Sequence, residues 1–216
     1  MTRIAFLHTG AVVIPPVAEL AGRLIPDAAT VNYLDDKIVA DLADPDRASS
    51  VEIRLEDLVR AAQSAGADAV MLTCSSISGY AAELGSRVGI PVLRIDEAMT
   101  DQAVATGSRI AVIATLPTTL APTLALIAER AALAGAAPEV ISEVVDGAFA
   151  AVSGGDRPRH DELVGAAIQR LATQADVVVL AQASMASAAA SVTVDVPVLT
   201  SLEAGITRLR DALAAG

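Results

Sequence analysis

The chain has 216 residues, a net charge of −11 at pH 7 and a hydrophobic content of 53%. The acidic balance argues against a nucleic-acid surface, which requires clustered basic residues, and two tyrosines with two phenylalanines are too few for base-stacking platforms. No apolar run reaches the roughly 18–20 residues that a membrane helix requires.

The chain contains one cysteine, Cys74, and therefore no internal disulfide. Unpaired cysteines are typical of proteins kept in a reducing cytoplasm. The two histidines, His8 and His160, stand far from Cys74 and from each other, so the sequence shows no metal-ligand spacing. We therefore expect a cytoplasmic protein without a metal site.

Apolar runs that suit buried strands alternate with segments of helical periodicity along the first half of the chain. The predicted elements are a strand at 3–10, a helix at 11–24, a strand at 30–34, a helix at 51–65, a strand leading to Cys74, a helix or loop at 79–88 and a strand at 90–95. On the helix at 51–65 we expect the buried side to carry Ile53, Leu55, Leu58, Val59 and Ala62. Alternation of strands with helices predicts a parallel sheet.

A polar cluster, Thr73-Cys74-Ser75-Ser76, follows directly on the apolar run 69–72. In open parallel α/β sheets, ligands bind at the carboxyl ends of the strands. A thiol at this position meets the start of the next helix, where backbone N–H groups favour an anion. A structural reading is also open, because an unpaired cysteine is often a small core hydrophobe. His8 and Thr9 end the first strand and are candidates for the same edge.

The second half of the chain repeats the first. Residues 109–115 follow the pattern of 3–9 at an offset of 106, 175–184 follow 67–76 at an offset of 108, and 196–199 follow 90–93 at an offset of 106. Three matches in one order indicate an internal duplication. The duplication places Gln182 at the position of Cys74, Ser184 at that of Ser76, and Thr115 at that of Thr9.

This repeat predicts an α/β fold of two pseudo-symmetric lobes, each a parallel sheet flanked by helices, with the active-site cleft between them. We expect lobe 1 to comprise 1–96 with 200–216, and lobe 2 to comprise 97–199. The strand ends of both halves then line a concave site of the kind that small ligands occupy.

The strand followed by Cys74-Ser75-Ser76 resembles the strand and Cys-Asn-Thr segment of the aspartate/glutamate racemase superfamily. That superfamily includes hydantoin racemases, maleate isomerases and arylmalonate decarboxylases. The stretch Ile113-Ala114-Thr115-Leu116-Pro117-Thr118 resembles its Leu-Ala-Thr-x-x-Thr segment. Together with the duplicated architecture, the resemblance covers nearly the whole chain.

The resemblance implies a cofactor-independent enzyme in which two lobes grip a small carboxylate and two cysteines exchange a proton on opposite faces of the reacting carbon. It implies that Cys74 is the first of these cysteines, that Ser75 and Ser76 hold the substrate carboxylate, and that Thr115 and Thr118 contact it from the second lobe. The other candidate substrate-binding residues are His8, Thr9, Gln182, Ala183 and Ser184.

The chain departs from this pattern at the second cysteine, where Leu180-Ala181-Gln182-Ala183-Ser184 stands in its place. Gln182 cannot exchange a proton at neutral pH, and Ser184 is a poor acid without an activating partner. We therefore expect an enzyme of the isomerase or racemase class that acts through one cysteine at the carbon next to a carboxylate. Two alternatives stay open: a decarboxylase of a malonate-like diacid, and a non-catalytic carboxylate-binding protein.

We expect the chain to bind a small carboxylate and to engage neither nucleic acid nor membrane. The family resemblance and the prevalence of symmetric assemblies also predict a homo-oligomer.

Overall fold

A computed structural model describes residues 2–215, so residues 1 and 216 of the predicted first lobe lie outside the described residues. The chain divides into two compact units. Unit 1 runs to Ile95 and resumes at Leu202, and unit 2 spans Asp96–Ser201. Each unit contains one four-stranded parallel sheet flanked by helices, which confirms the expected α/β class and its two similar halves.

Unit 1 alternates strands and helices in the first part of the chain. Its elements are β1 (Arg3–His8), α1 (Ile14–Leu24), β2 (Ala29–Leu34), α2 (Ile38–Leu42), α3 (Ala48–Ser64), β3 (Ala69–Leu72), α4 (Ser75–Ser78), α5 (Ala81–Val88) and β4 (Val92–Arg94). The strand order in the sheet is β2-β1-β3-β4.

Unit 2 follows the same plan. Its elements are α6 (Glu97–Thr106), β5 (Arg109–Ala114), α7 (Pro117–Leu133), β6 (Glu139–Val144), α8 (Ala148–Ser153), α9 (Arg157–Ala172), β7 (Val177–Leu180), α10 (Ala186–Ser191) and β8 (Val198–Leu199). The strand order is β6-β5-β7-β8, and α11 (Ser201–Ala215) then returns the chain to unit 1.

The burial of each strand follows from its place in the sheet. The inner strands β3 and β7 are buried at every residue, as expected for strands covered on both faces. The edge strand β2 instead alternates between half-buried and exposed residues. The apolar run 69–72 is therefore an inner strand, and so is β7, which lies in its repeat in unit 2.

The repeated Arg and Asp residues at the amino ends of the strands hold neighbouring strands together. The backbone N–H of Arg3 donates to Asp68 Oδ2 at 2.8 Å, and that of Arg109 donates to Asp176 Oδ2 at 2.9 Å. The Arg109 guanidinium also donates to Asp176 Oδ1, and this bond lowers the pKa of the Asp176 carboxyl below its ordinary value. These contacts lie at the end of each sheet opposite Cys74 and Gln182, so this part of the repeat is structural.

The helix predicted at 51–65 begins earlier and buries a narrower stripe than expected. In α3 the residues Val51, Leu55, Val59 and Ala62 are buried, at the spacing of one helix face. Ile53 is 65% exposed, so its expected burial was wrong. It lies two residues from both Val51 and Leu55, on the opposite side of the helix. The segment predicted as a helix at 11–24 is a short 3-10 turn, Ala11–Val13, followed by α1.

Within residues 2–215, no helix has both the length and the apolar composition that a membrane crossing requires.

Helix α11 packs against the end of β4 through a glycine. A Cβ atom at Gly205 would meet the backbone oxygen of Ile95 and come within 2.7 Å of Ile95 Cδ1. We expect Gly205→Ala to lower the free energy of unfolding by about 1–3 kcal/mol, the usual cost of overpacking a tight contact. Urea denaturation monitored by circular dichroism measures this change.

Gly22 provides the matched control, because it is exposed in α1 and a Cβ atom added there would meet nothing within 4 Å. Gly22→Ala should raise the free energy of unfolding by roughly 0.5–1 kcal/mol, because alanine restricts the unfolded chain and favours helix. Equal effects of the two substitutions would contradict the close packing of α11 on Ile95.

Candidate functional site

Cys74 lies two residues beyond the end of β3, in extended conformation (φ −134°, ψ 125°), at the N-cap of α4. Its backbone oxygen accepts hydrogen bonds from the Ile77 N–H and the Ser78 hydroxyl, both at 3.1 Å. The side chain is partly exposed, and within residues 2–215 no hydrogen bond to its sulfur is found. The main chain is therefore fixed, and Cys74 packs in part against the apolar core of unit 1 while keeping part of its surface exposed, as a reactive cysteine requires.

Ser75 and Ser76 occupy the first turn of α4 and are nearly buried, at 5% and 8% exposure. Thr9 follows β1 and is partly exposed. Strands β1 and β3 are paired in parallel, with Leu7 opposite Leu72. Unit 1 therefore brings His8, Thr9, Cys74, Ser75 and Ser76 to one edge of its sheet.

His8 ends β1 and is fully buried, with both ring nitrogens bonded. Nδ1 lies 2.8 Å from Thr73 Oγ1, and Nε2 lies 2.8 Å from Asn32 Oδ1. Burial lowers the pKa of His8, and the bond to Asn32 only partly offsets this, so the ring is neutral at pH 7. The ring has no exposed surface in this structure, and its contact with a substrate stays a prediction.

Thr73 and Asn32 were not among the residues selected from the sequence. Thr73 stood in the polar cluster beside Cys74 without an assigned partner. Asn32 interrupts the strand Thr30-Val-Asn-Tyr-Leu34, and asparagine is disfavoured in strands. An asparagine within a strand is a usable sequence signal. Its partner, His8, lies 24 residues away, however, and the contact between them depends on the register of β1 with β2.

In unit 2 the equivalent edge is built around Thr115 and Gln182. Gln182 Oε1 accepts from the Thr115 backbone N–H at 2.6 Å and from the Thr115 hydroxyl at 2.9 Å. A backbone N–H can only donate, so the oxygen of the amide must face Thr115 and the Nε2 amide group must face away. Gln182 is partly exposed, and no acceptor for its Nε2 hydrogens is found within residues 2–215. Gln182 thus presents two N–H donors.

The remaining predicted residues of unit 2 lie at the same edge. Thr118 is the second residue of α7 and is partly exposed. Ala183 and Ser184 begin a 3-10 turn, Ala183–Met185, directly after Gln182. The Ser184 backbone oxygen accepts from Arg157 Nη1 at 2.7 Å, which ties this turn to the start of α9. Thr115 is only 4% exposed, and its hydroxyl donates to Gln182 and so orients the amide. Its contact with a substrate stays a prediction.

In the described part of the chain, no group of three or more His, Cys, Asp or Glu side chains could hold a metal ion. His160 is buried at the start of α9, where its Nδ1 lies 2.8 Å from Asp161 Oδ1. It belongs to the packing of α9.

Comparison with solved structures finds the same fold in racemases and in a decarboxylase. A glutamate racemase isoform from Bacillus anthracis is 18% identical with a TM-score of 0.79, covering 99% of this chain and 82% of that one. An aspartate racemase from Picrophilus torridus is 15% identical with a TM-score of 0.78, covering 99% and 95%. An arylmalonate decarboxylase is 19% identical with a TM-score of 0.61, covering 99% and 93%.

A search of curated proteins finds no match. The model of the Asp/Glu/hydantoin racemase family, by contrast, matches residues 8–209, which cover all of unit 2, most of unit 1 and every candidate residue above. The chain belongs to the Asp/Glu/hydantoin racemase family.

Proposed function

We propose that this protein is a cofactor-independent enzyme of the isomerase or racemase class, which acts on a small carboxylate through the thiol of Cys74. The observation that carries the proposal is the placement of Cys74, partly exposed on a fixed main chain, just beyond the carboxyl end of an inner strand. Family membership supports an enzyme, and the two serines that follow the thiol supply polar groups for the substrate carboxylate.

One thiol permits two reactions at the carbon next to a carboxylate. As a thiolate, Cys74 can remove the α-proton, leaving the electron pair on an enediolate; a solvent proton then adds on the opposite face, and the Cys74 thiol releases its proton to solvent. It can instead add to the double bond of an unsaturated diacid, allow rotation about the resulting single bond, and leave again as thiolate. Both routes develop negative charge on the carboxylate, which positioned hydrogen-bond donors stabilise.

Gln182 is proposed as one such donor. Its Nε2 hydrogens are directed away from Thr115, and an amide neither gives nor takes a proton at neutral pH. The position that holds the second cysteine in two-thiol racemases is therefore suited here to holding charge, and the proton chemistry rests on Cys74. This supports chemistry on one face of the reacting carbon.

The same arrangement makes a decarboxylase of a malonate-like diacid the second candidate. Loss of carbon dioxide leaves an enediolate that a single thiol can protonate on one face, and an arylmalonate decarboxylase shares the fold. The third candidate is a carboxylate-binding protein without turnover. In such a protein the hydrogen-bond donors still bind the carboxylate, and the thiol is not required. The homo-oligomeric state and the cytoplasmic location stay predictions.

Proton NMR in heavy water separates these readings. Aspartate, glutamate, hydantoins, maleate and arylmalonates are incubated with the wild-type protein and with Cys74→Ala. We expect deuterium at the α-carbon or isomerised maleate with the wild type, and a loss of at least about a hundredfold in Cys74→Ala, since the nucleophile or base is gone. Deuterated decarboxylation product would assign the lyase instead. Equal turnover by both proteins would contradict a catalytic Cys74.

Two substitutions of Gln182 separate a donor from a structural residue. Glutamate keeps an oxygen for both Thr115 donors but replaces the Nε2 group with negative charge, whereas methionine removes both functions. We expect Gln182→Glu to lose more activity than Gln182→Met, which itself loses about a hundredfold, the usual effect of removing one preorganised donor. Initial rates on the substrate found above measure this order. A nearly wild-type Gln182→Glu beside a defective Gln182→Met would show that Gln182 serves only to bind Thr115.

A further inference from the structure

Unit 1 carries a run of apolar residues at the same edge of its sheet as Cys74. Directly after β1 and Thr9 the sequence reads Gly10-Ala11-Val12-Val13-Ile14-Pro15-Pro16. None of these seven residues is buried, and Val12 is 52% exposed. Leu34, which ends the neighbouring strand β2, is 41% exposed. Contiguous apolar surface, unlike single exposed apolar residues, marks a binding surface.

The register of the sheet places this run beside the thiol. Leu7 of β1 pairs with Leu72 of β3. Two residues further along each chain stand Thr9 and Cys74, and neighbouring strands of a sheet lie about 4.8 Å apart. The 3-10 turn Ala11–Val13 begins two residues beyond Thr9. The turn therefore starts next to the segment that carries the thiol.

The duplicated half of the chain shows a different residue at the most exposed position of this turn. The offset of 106 that relates β1 to β5 places Val12 at the position of Thr118. Thr118 is one of the hydroxyl residues that we expect to contact a carboxylate, and it is partly exposed. Valine and threonine have the same shape and differ by a methyl group in place of a hydroxyl. After equivalent strands, unit 2 therefore presents a hydrogen-bond donor and unit 1 presents apolar surface.

The charged groups beside the apolar run do not favour a second negative charge on a ligand. Asp35 and Asp36 follow β2 at this edge. Arg54 Nε donates to Asp35 Oδ2 at 2.9 Å, and Lys37 Nζ lies 3.2 Å from Asp36 Oδ1. Arg94 ends β4, on the far side of β3 from the turn. The cations beside the turn are thus already paired with carboxylates of this chain, which leaves apolar contact as the interaction that the turn offers.

We propose that the Ala11–Val13 turn, with Leu34 beside it, is an apolar subsite for the group attached to the reacting carbon of the substrate. It selects a carboxylate that bears an alkyl or aryl group on that carbon over one with a charged side chain, such as aspartate or glutamate. Val12 is the residue that determines this specificity. The inference deepens the proposed function and rests on it, because it names the substrate class of the Cys74 site.

Protection of Cys74 from alkylation tests the subsite without a substrate. Cys74 is the only cysteine, so its modification by iodoacetamide, followed by intact mass, reports on this thiol alone. Acetate, succinate and 4-methylpentanoate are added in turn, and the concentration that halves the alkylation rate measures the affinity of each. Succinate and 4-methylpentanoate have the same reach and differ at the far end, which is a carboxylate in one and an isopropyl group in the other.

We expect 4-methylpentanoate to protect at a concentration at least about tenfold below that of acetate, since each fully buried methylene strengthens binding about fourfold. Succinate should protect less well than 4-methylpentanoate. Val12→Thr, which gives unit 1 the residue of unit 2, should reduce the advantage of 4-methylpentanoate over acetate by about fourfold, and Val12→Asp should abolish it. Val140→Thr makes the same change at an exposed valine of β6 in unit 2 and should leave all three affinities unchanged.

Equal protection by 4-methylpentanoate and acetate, tighter protection by succinate, or an unchanged ratio in both Val12 variants would overturn the inference. In each of these cases the carboxylate site at Cys74 survives and only the apolar subsite is lost. Absence of protection by every carboxylate would overturn the site and the subsite together. Failure of the catalytic proposal would appear elsewhere, in the turnover assays that compare the wild type with Cys74→Ala.

Discussion

The carboxyl edge of each sheet depends on one backbone hydrogen bond, which both units form at the equivalent position. In each unit the first residue beyond an inner strand donates its N–H to the neighbouring strand: Thr73 to the Leu7 oxygen and Ala181 to the Ile113 oxygen. This bond extends the parallel pairing by one residue and brings the next side chain to the carboxyl edge of the sheet. Those next side chains are Cys74 and Gln182. The two edges thus share the same backbone arrangement and differ at the residue that follows it, Cys74 in unit 1 and Gln182 in unit 2.

On this frame the two units differ in the polar groups that they hold. Unit 1 combines an accessible thiol with a buried imidazole, whereas unit 2 combines an amide with the threonine that orients it. The first set contains groups that exchange protons, whereas the second donates and accepts hydrogen bonds without exchanging a proton at neutral pH. In the function proposed above, one half of the duplicated chain carries the reactive group and the other half binds charge.

The sequence was sufficient for the architecture because its strongest signals are local. Continuous apolar runs identified β3 and β7, and the repeat identified the two halves. It was insufficient for side-chain pairs that depend on register: the bond of His8 to Asn32 and that of Thr115 to Gln182 join residues 24 and 67 positions apart. Ile53 shows a different limit, since an apolar residue near a helical stripe can still face solvent. The thiol was found from the sequence because it follows a recognisable strand, whereas Asn32 and Thr73, which bond His8, were not.

The central claim is that the thiol of Cys74 stands where a substrate carboxylate is held, and competing alkylating agents test it directly. Bromoacetate carries a carboxylate beside its reactive carbon, whereas bromoacetamide is neutral and similar in size. On a chain with a net charge of −11, an unguided thiol should react more slowly with the anion. We predict the opposite, with bromoacetate modifying Cys74 faster and with a rate that saturates with concentration. Faster reaction with bromoacetamide and no saturation by bromoacetate would contradict a carboxylate site at Cys74.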